Sequence, residues 1–446
     1  MKILKKLVVT GVVGFVAAFA LAKSVPYWYA TTHNEEVDLT DAALIKKGEQ
    51  AAIAGDCAAC HTVPGGKPFA GGLAMQTPMG AIYSTNITPA AKTGIGEYSY
   101  AEFERAVRQG IRKDNTSLYP AMPFPSFQIV EDDEIKAMYA YFMTQVPAVE
   151  QENQDSTIPF PFNWRWPLAL WQITFAQPRA FEPIAQASAQ VQRGQYLVEG
   201  LAHCGACHTP RGIAFQEKSR SLADGDAYLA GAVLEGWYAK SLRGEHSGLA
   251  TWSKDELFDF LTTGRTQRTA AFGSMADVVG HSTQHMHKED VWAIVEYIKQ
   301  LPVKQGMSEQ SPVQLDQTTP ALLAGDYTAK GALEYMENCV VCHRADGRGA
   351  PRIFPALAGN SIVFAEDPSS LIQVTLEGGA MPKTPADKMA FVMPGFDHLS
   401  DQELANILTF IRTGWTNKAS SIEVKDVAHM RELVSNKPQH YIPEAQ

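Results

Sequence analysis

The chain has 446 residues, too many for one ordinary core, and at about 100–200 residues per domain that length suggests about three domains. With 45% hydrophobic and 19% charged residues it reads as globular, which argues against disorder and against a polytopic membrane protein. A net charge of -10 does not favour nucleic acid; it is compatible with a cationic partner, although a solvated acidic surface is the commoner reason for such a value.

Residues 1–37 begin with Lys2, Lys5 and Lys6, then an apolar run from Leu7 to Ala22, which is the form of an export signal. The mature chain is therefore expected outside the cytoplasm. Ala20, Leu21 and Ala22 offer a small-residue cleavage site, but the run is slightly long for a signal core. Tyr27, Trp28 and Tyr29 follow it like an interfacial aromatic belt, so a cleaved signal and a retained anchor both remain open.

All six cysteines fall in three pairs, Cys57 and Cys60, Cys204 and Cys207, Cys339 and Cys342, and each pair is followed at once by His61, His208 or His343. An exported chain could use six cysteines as disulfides, but residues three apart suit attachment to one object better than a long-range staple. A zinc site needs four ligands, and each CxxCH supplies at most three. A thioredoxin-like CxxC has no need of the histidine. Haem c explains every position: two thiols add to the two vinyl groups of the porphyrin, and the next side chain lies under the iron. Three covalently bound haems c are expected.

Each motif follows a helical stretch with a basic residue and a glycine, "LIKKGEQAAIAGD", "QVQRGQYLVEGLAH" and "YTAKGALEYMEN". Each unit then closes with an amphipathic helix. The apolar faces use Ile135, Met138, Tyr139 and Phe142; Val291, Ile294, Val295 and Ile298; and Leu404, Ile407, Leu408 and Ile411. Three domains are expected at 38–155, 180–303 and 321–416. An aromatic-rich linker, 156–179, and a polar linker, 304–320, join them, and a polar tail covers 417–446. In the first linker Pro167 can open a short helix that puts Leu168, Trp171 and Phe175 near one face, either as an interdomain core or beside Trp164, Trp166 and Arg165 as a membrane contact.

A sixth ligand of methionine makes a haem a relatively high-potential carrier, and it is expected in the loop before each closing helix. Met122 in "YPAMPFPSF" is followed by prolines that stiffen the loop; Met393 in "FVMPGFDHLS" stands in the same relation, with Met381 as its rival. In the middle unit Met275 is preferred to Met286, which lies too close to the helix beginning near Lys288. His281, His285 and His287 read as solvated or capping groups.

Together with these motifs, "GAIYSTNITP" and "GIGEYSYAEFERAVRQGI", "SMADVVGHSTQHM", "FPALAGN" and "MPGF" resemble a known family over nearly the whole mature chain. It is that of the three-haem cytochrome c subunits of bacterial membrane-bound dehydrogenases that oxidise alcohols, sugars, sugar acids or aldehydes at the periplasmic face. The resemblance implies a mainly α chain of three tandem class I cytochrome c-like domains. It also implies a catalytic dehydrogenase partner carrying flavin or pyrroloquinoline quinone, with a small third subunit an option, and ubiquinone as acceptor. "NWRWPLALWQITF" is most similar to cytochromes paired with gluconate-type flavoproteins. The chain has no GxGxxG after a strand and no other convergent acid, base and metal constellation, so an electron-transfer subunit at the membrane is expected. The competing class is a multihaem peroxidase or reductase with its own open haem.

Overall fold

The computed structural model describes residues 2–28, 35–310 and 314–436; Tyr29, part of the second linker and the end of the tail lie outside the described residues. Helix outweighs strand, 42% against 7%, so the chain is mainly α. It divides into two compact units. The first runs to Glu182 and takes in Glu199–His203 and Arg211–Gln216; the second holds the remainder, including both later motifs.

In the first unit α1 (Lys2–Trp28) is the one described helix long and apolar enough to cross a membrane, over Val9–Trp28. Next, α2 (Ala42–Ala54) crosses the closing helix α3 (Asp132–Thr144) at Gly48, where a Cβ would stand 1.9 Å from the carbonyl oxygen of Ala137. Only glycine permits so close a backbone approach. On α3, Ile135, Met138 and Phe142 are buried as their spacing requires, and burial stabilises such side chains by roughly 1.5–3 kcal/mol apiece.

Pro167 does open a helix, α4 (Trp166–Phe175), but its burial is not the single stripe expected. Ala169, with Trp166, Leu170 and Ile173 around it, packs against Ala22 and Val25 of α1. On another side Trp171 meets Phe124 at a ring separation of 6.0 Å and donates its Nε1–H to the carbonyl of Ala214 at 2.7 Å. The helix is clasped between two neighbours, so Ala169 and Gln172 are its fully buried residues, while Leu168, Trp171 and Phe175 are half-buried.

The crossing recurs twice in the second unit. Gly194 of α5 (Ala189–Glu199) would place a Cβ 1.8 Å from the carbonyl oxygen of Ala293 on α6 (Lys288–Ile298). Gly331, at the start of α7 (Ala332–Asn338), would place one 2.1 Å from that of Asn406 on α8 (Asp401–Thr413). In each case the residue four further along the closing helix, Tyr141, Tyr297 or Phe410, backs the same glycine. The expected faces of α6 and α8 are all buried.

The polar tail expected from residue 417 carries α9 (Val424–Ser435), whose Val427 and Met430 join Ile422 in the third core. Residues beyond 416 therefore contribute to that core.

Candidate haem sites

The motif histidines end three short helical turns, Cys57–His61, Gly205–His208 and Val340–His343, and no disulfide joins any of the six thiols. Burial pushes Cys57, Cys204 and Cys339 up to about 12, so they stay neutral thiols, unlike the thiolates of redox or metal-binding CxxC pairs. Among the described residues no cluster of three or more His, Cys, Asp and Glu side chains could hold a metal ion, so none of the motifs finds the fourth ligand that zinc requires.

Every motif histidine is held in the same way. Nδ1 of His61 lies 2.6 Å from the carbonyl oxygen of Thr85, that of His208 lies 2.7 Å from Lys240, and that of His343 lies 2.9 Å from Pro355. A carbonyl only accepts, so each Nδ1 carries the proton and Nε2 keeps its lone pair. Burial lowers all three rings below the ordinary histidine value, His208 to about 4, which keeps them neutral. Nε2 has no hydrogen-bond partner among the described residues.

A second bond repeats too. The backbone oxygen of each histidine accepts from a glycine N–H: Gly71 at 2.8 Å, Gly231 at 2.8 Å and Gly349 at 3.1 Å. All three glycines have positive φ, and a Cβ on them would strike the segment that supplies the Nδ1 acceptor, at Thr85, Ser241 or Pro355. Short β pairings deliver those segments. Thr85 follows the hairpin of β1 (Ala74–Thr77) and β2 (Gly80–Tyr83), and Lys240 follows that of β3 (Ala232–Leu234) and β4 (Trp237–Ala239). Pro355 follows the isolated bridge between Ala350 and Phe354.

This donor set fits haem c: two thiols three residues apart, then an imidazole with a fixed tautomer and a free Nε2. Cys57, Cys60, Cys204, Cys207, Cys339 and Cys342 would hold the porphyrins, and His61, His208 and His343 the irons.

The methionines lie where each closing helix is approached. Met122 precedes the turn Phe124–Phe127, and Phe127 packs beside Gly55, two residues from Cys57. Met275 is in the first turn of the helix Ser274–His281, not in an open loop, and Gly273 just before it abuts the ring of Trp237. Met393 ends β6 (Val392–Met393), which pairs with β5 (Gly379–Ala380), and Phe396 beyond it packs on the core that also receives Cys339. All three are partly covered by protein, whereas the rivals Met286 and Met381 are buried at 7% and 4% exposure as core filling. His281, His285 and His287 are exposed, and His287 stands at the N-cap of α6.

The acceptor carbonyls and their partner glycines escape the sequence reading. Glycine shortly after each motif is the only signal that could have found half of them.

The cytochrome c family matches the chain three times, over residues 45–145, 191–302 and 328–415. The chain is 49% identical over 402 residues to the gluconate 2-dehydrogenase cytochrome c subunit of Pantoea cypripedii, covering 89% of this chain and 91% of that protein. It is 46% identical over 400 residues to the alcohol dehydrogenase (quinone) cytochrome c subunit of Gluconobacter oxydans, covering 88% and 83%. It is 35% identical over 411 residues to the fructose dehydrogenase cytochrome subunit of Gluconobacter japonicus, covering 87% and 82%. Matched along nearly its whole length and built around three equivalent histidine cradles, the chain belongs to the cytochrome c family, with the multihaem electron-transfer subunits of dehydrogenases.

Proposed function

We propose that the chain binds three covalent haems c, with axial pairs His61 and Met122, His208 and Met275, and His343 and Met393. In this reading it passes electrons from a catalytic dehydrogenase subunit to ubiquinone at the periplasmic face of the bacterial cytoplasmic membrane. The reading is supported by the threefold recurrence of one histidine cradle together with a partly covered methionine before each closing helix, since a relay haem is closed by two protein ligands whereas a catalytic haem keeps its sixth position open. The haems supply one-electron iron centres; the protein fixes the imidazoles, keeps them neutral and covers the rings.

A gluconate 2-dehydrogenase type of partner, carrying flavin, is favoured by the 49% identity to the Pantoea subunit and by the aromatic segment around α4. Pyrroloquinoline quinone remains the alternative cofactor of the partner. Retention of α1 as an anchor is supported by its packing: Ala22 and Val25 are covered by α4, and the ring of Trp166 lies 5.5 Å from Phe15 and 5.6 Å from Phe19. Cleavage after Ala22 would remove both of these ring contacts. Tyr27 and Trp28 at the end of α1, and Phe160, Phe162 and Trp164 just before α4, are exposed, the composition of an interfacial belt.

The test is made on the complex purified from membranes in detergent. Gluconate should reduce all haems of the chain, and a short-chain ubiquinone should reoxidise them. Haems that stay oxidised with gluconate, and with the alternative sugars and alcohols, would contradict the role.

A further inference from the structure

In the first unit a cleft of about 240 Å³ opens between the carboxyl end of α1, the start of α4 and the loop 114–117. One water needs roughly 10–15 Å³ of such space, so the cleft is a site for a larger group. Its walls carry two cations. Arg165 stacks its guanidinium on the ring of Tyr119 at 3.7 Å and donates NH1 to the carbonyl of Ser117 at 3.3 Å, which fixes the head but leaves the charge without a carboxylate bonded to it among the described residues. Lys23 extends from α1 with its ammonium 5.7 Å from the ring centre of Phe19, and it too has no carboxylate within ion-pair distance among the described residues. Asp114, the acid in the cleft, is paired with Arg112 at 3.5 Å and accepts from the backbone of Thr116 at 2.9 Å. Two cations, neither bonded to a carboxylate among the described residues although Asp114 and Asp155 act on Arg165 through space, therefore face one polar cleft, with Thr116 beside them.

Position decides the ligand. Lys2, Lys5 and Lys6 precede the apolar run of α1, so by the bias of basic residues toward the cytoplasm its other end emerges on the outer side. The cleft opens at that end, beside Tyr27 and next to Trp28, both exposed, where phosphates of the outer leaflet lie. Phe15 and Val16, one to two turns back along α1, are half or more exposed and offer an apolar flank to acyl chains. We propose that this cleft seats the phosphodiester of an anionic phospholipid, held between Lys23 and Arg165, so that one outer-leaflet lipid locks α1 to α4. The proposal rests on the retention of α1 as a membrane anchor.

The test is native mass spectrometry of the full-length protein in its detergent-solubilised complex, restricted to chains whose intact mass shows that α1 is present. After delipidation, phosphatidylglycerol is added back in mixed micelles, with inorganic phosphate as a parallel arm. Wild type should retain one phosphatidylglycerol per chain. Lys23→Gln should lower retention several-fold, and the double variant Lys23→Gln, Arg165→Gln at least tenfold, with haem content and membrane sedimentation unchanged. Equal retention in wild type and variants would overturn the proposal, as would full displacement of the lipid by inorganic phosphate, which would make the cleft a free-anion site. A mature chain lacking α1 would instead sink the anchor reading, and is seen in the mass before any lipid is added.

Discussion

His208 and Lys240 are joined through the main chain: the imidazole Nδ1–H donates to the Lys240 carbonyl at 2.7 Å, while the Lys240 ammonium reaches the carbonyl of Gly248 at 2.5 Å and the hydroxyl of Ser361. The residue that orients the second motif histidine is thus tied by its side chain to the third domain. Trp252 shares the arrangement, with its ring 5.1 Å from the ammonium and its Nε1–H 3.4 Å from the same hydroxyl. Ser361→Ala removes one acceptor from the part-buried Lys240 amine, which burial lowers to about 7 and which keeps the Gly248 carbonyl, and should cost about 1 kcal/mol. Thermal unfolding should show this loss while the axial ligation of the second haem stays intact.

The glycine crossings predict a reversal of ordinary helix propensity. Alanine normally stabilises a helix interior by up to about 1 kcal/mol over glycine. At Gly194 the new Cβ would lie 1.8 Å from the carbonyl of Ala293, so Gly194→Ala should destabilise by about 2 kcal/mol or more as α5 and α6 are forced apart. Gly280, in the helix Ser274–His281, is the control: a Cβ there would meet nothing within 4 Å, so Gly280→Ala should be neutral or stabilising. Equal melting shifts for the two variants would contradict the crossing.

What was legible in the sequence were features that demand one residue type. Thioether attachment demands cysteine, a ligand under the iron demands histidine, and a backbone crossing demands glycine, so Cys204, His208 and Gly194 stood out together. The Nδ1 acceptors did not, because a carbonyl oxygen belongs to every residue: Thr85, Lys240 and Pro355 have no side-chain chemistry in common. The helix α9 was hidden for a related reason, since its buried Val427 and Met430 stand among charged neighbours in "VKDVAHMRELVS". The half-buried state of Trp171 could not be read from periodicity because α4 has partners on more than one side.

Asp387 holds the loop that leads to Met393. Its carboxylate is paired with Arg352 and lies 3.9 Å from the buried Arg265, which also donates to the carbonyls of Pro382, at 3.2 Å, and Met389. Breaking a fully buried pair costs about 3–5 kcal/mol. Arg352 is partly solvated, so Asp387→Ala should cost about 2 kcal/mol. It should also broaden the signal of the third haem while leaving the first two unchanged, which a redox titration followed by low-temperature spectra can resolve.

Met122→Leu, Met275→Leu and Met393→Leu should each remove one low-spin His/Met signal and leave two, because leucine keeps the volume without the sulfur lone pair. Met286→Leu and Met381→Leu, at buried positions, should retain all three signals and cost under about 1.5 kcal/mol. The reverse pattern in either pair would move the ligand to the rival residue.

A subunit that only relays electrons needs every haem closed by two protein ligands. Haem content per chain is measured together with the spectrum of the dithionite-reduced protein before and after carbon monoxide. Three haems c per chain, none of which binds carbon monoxide rapidly in the intact complex, is the predicted result. Rapid binding at one haem would show an open iron and make the chain an enzyme in its own right.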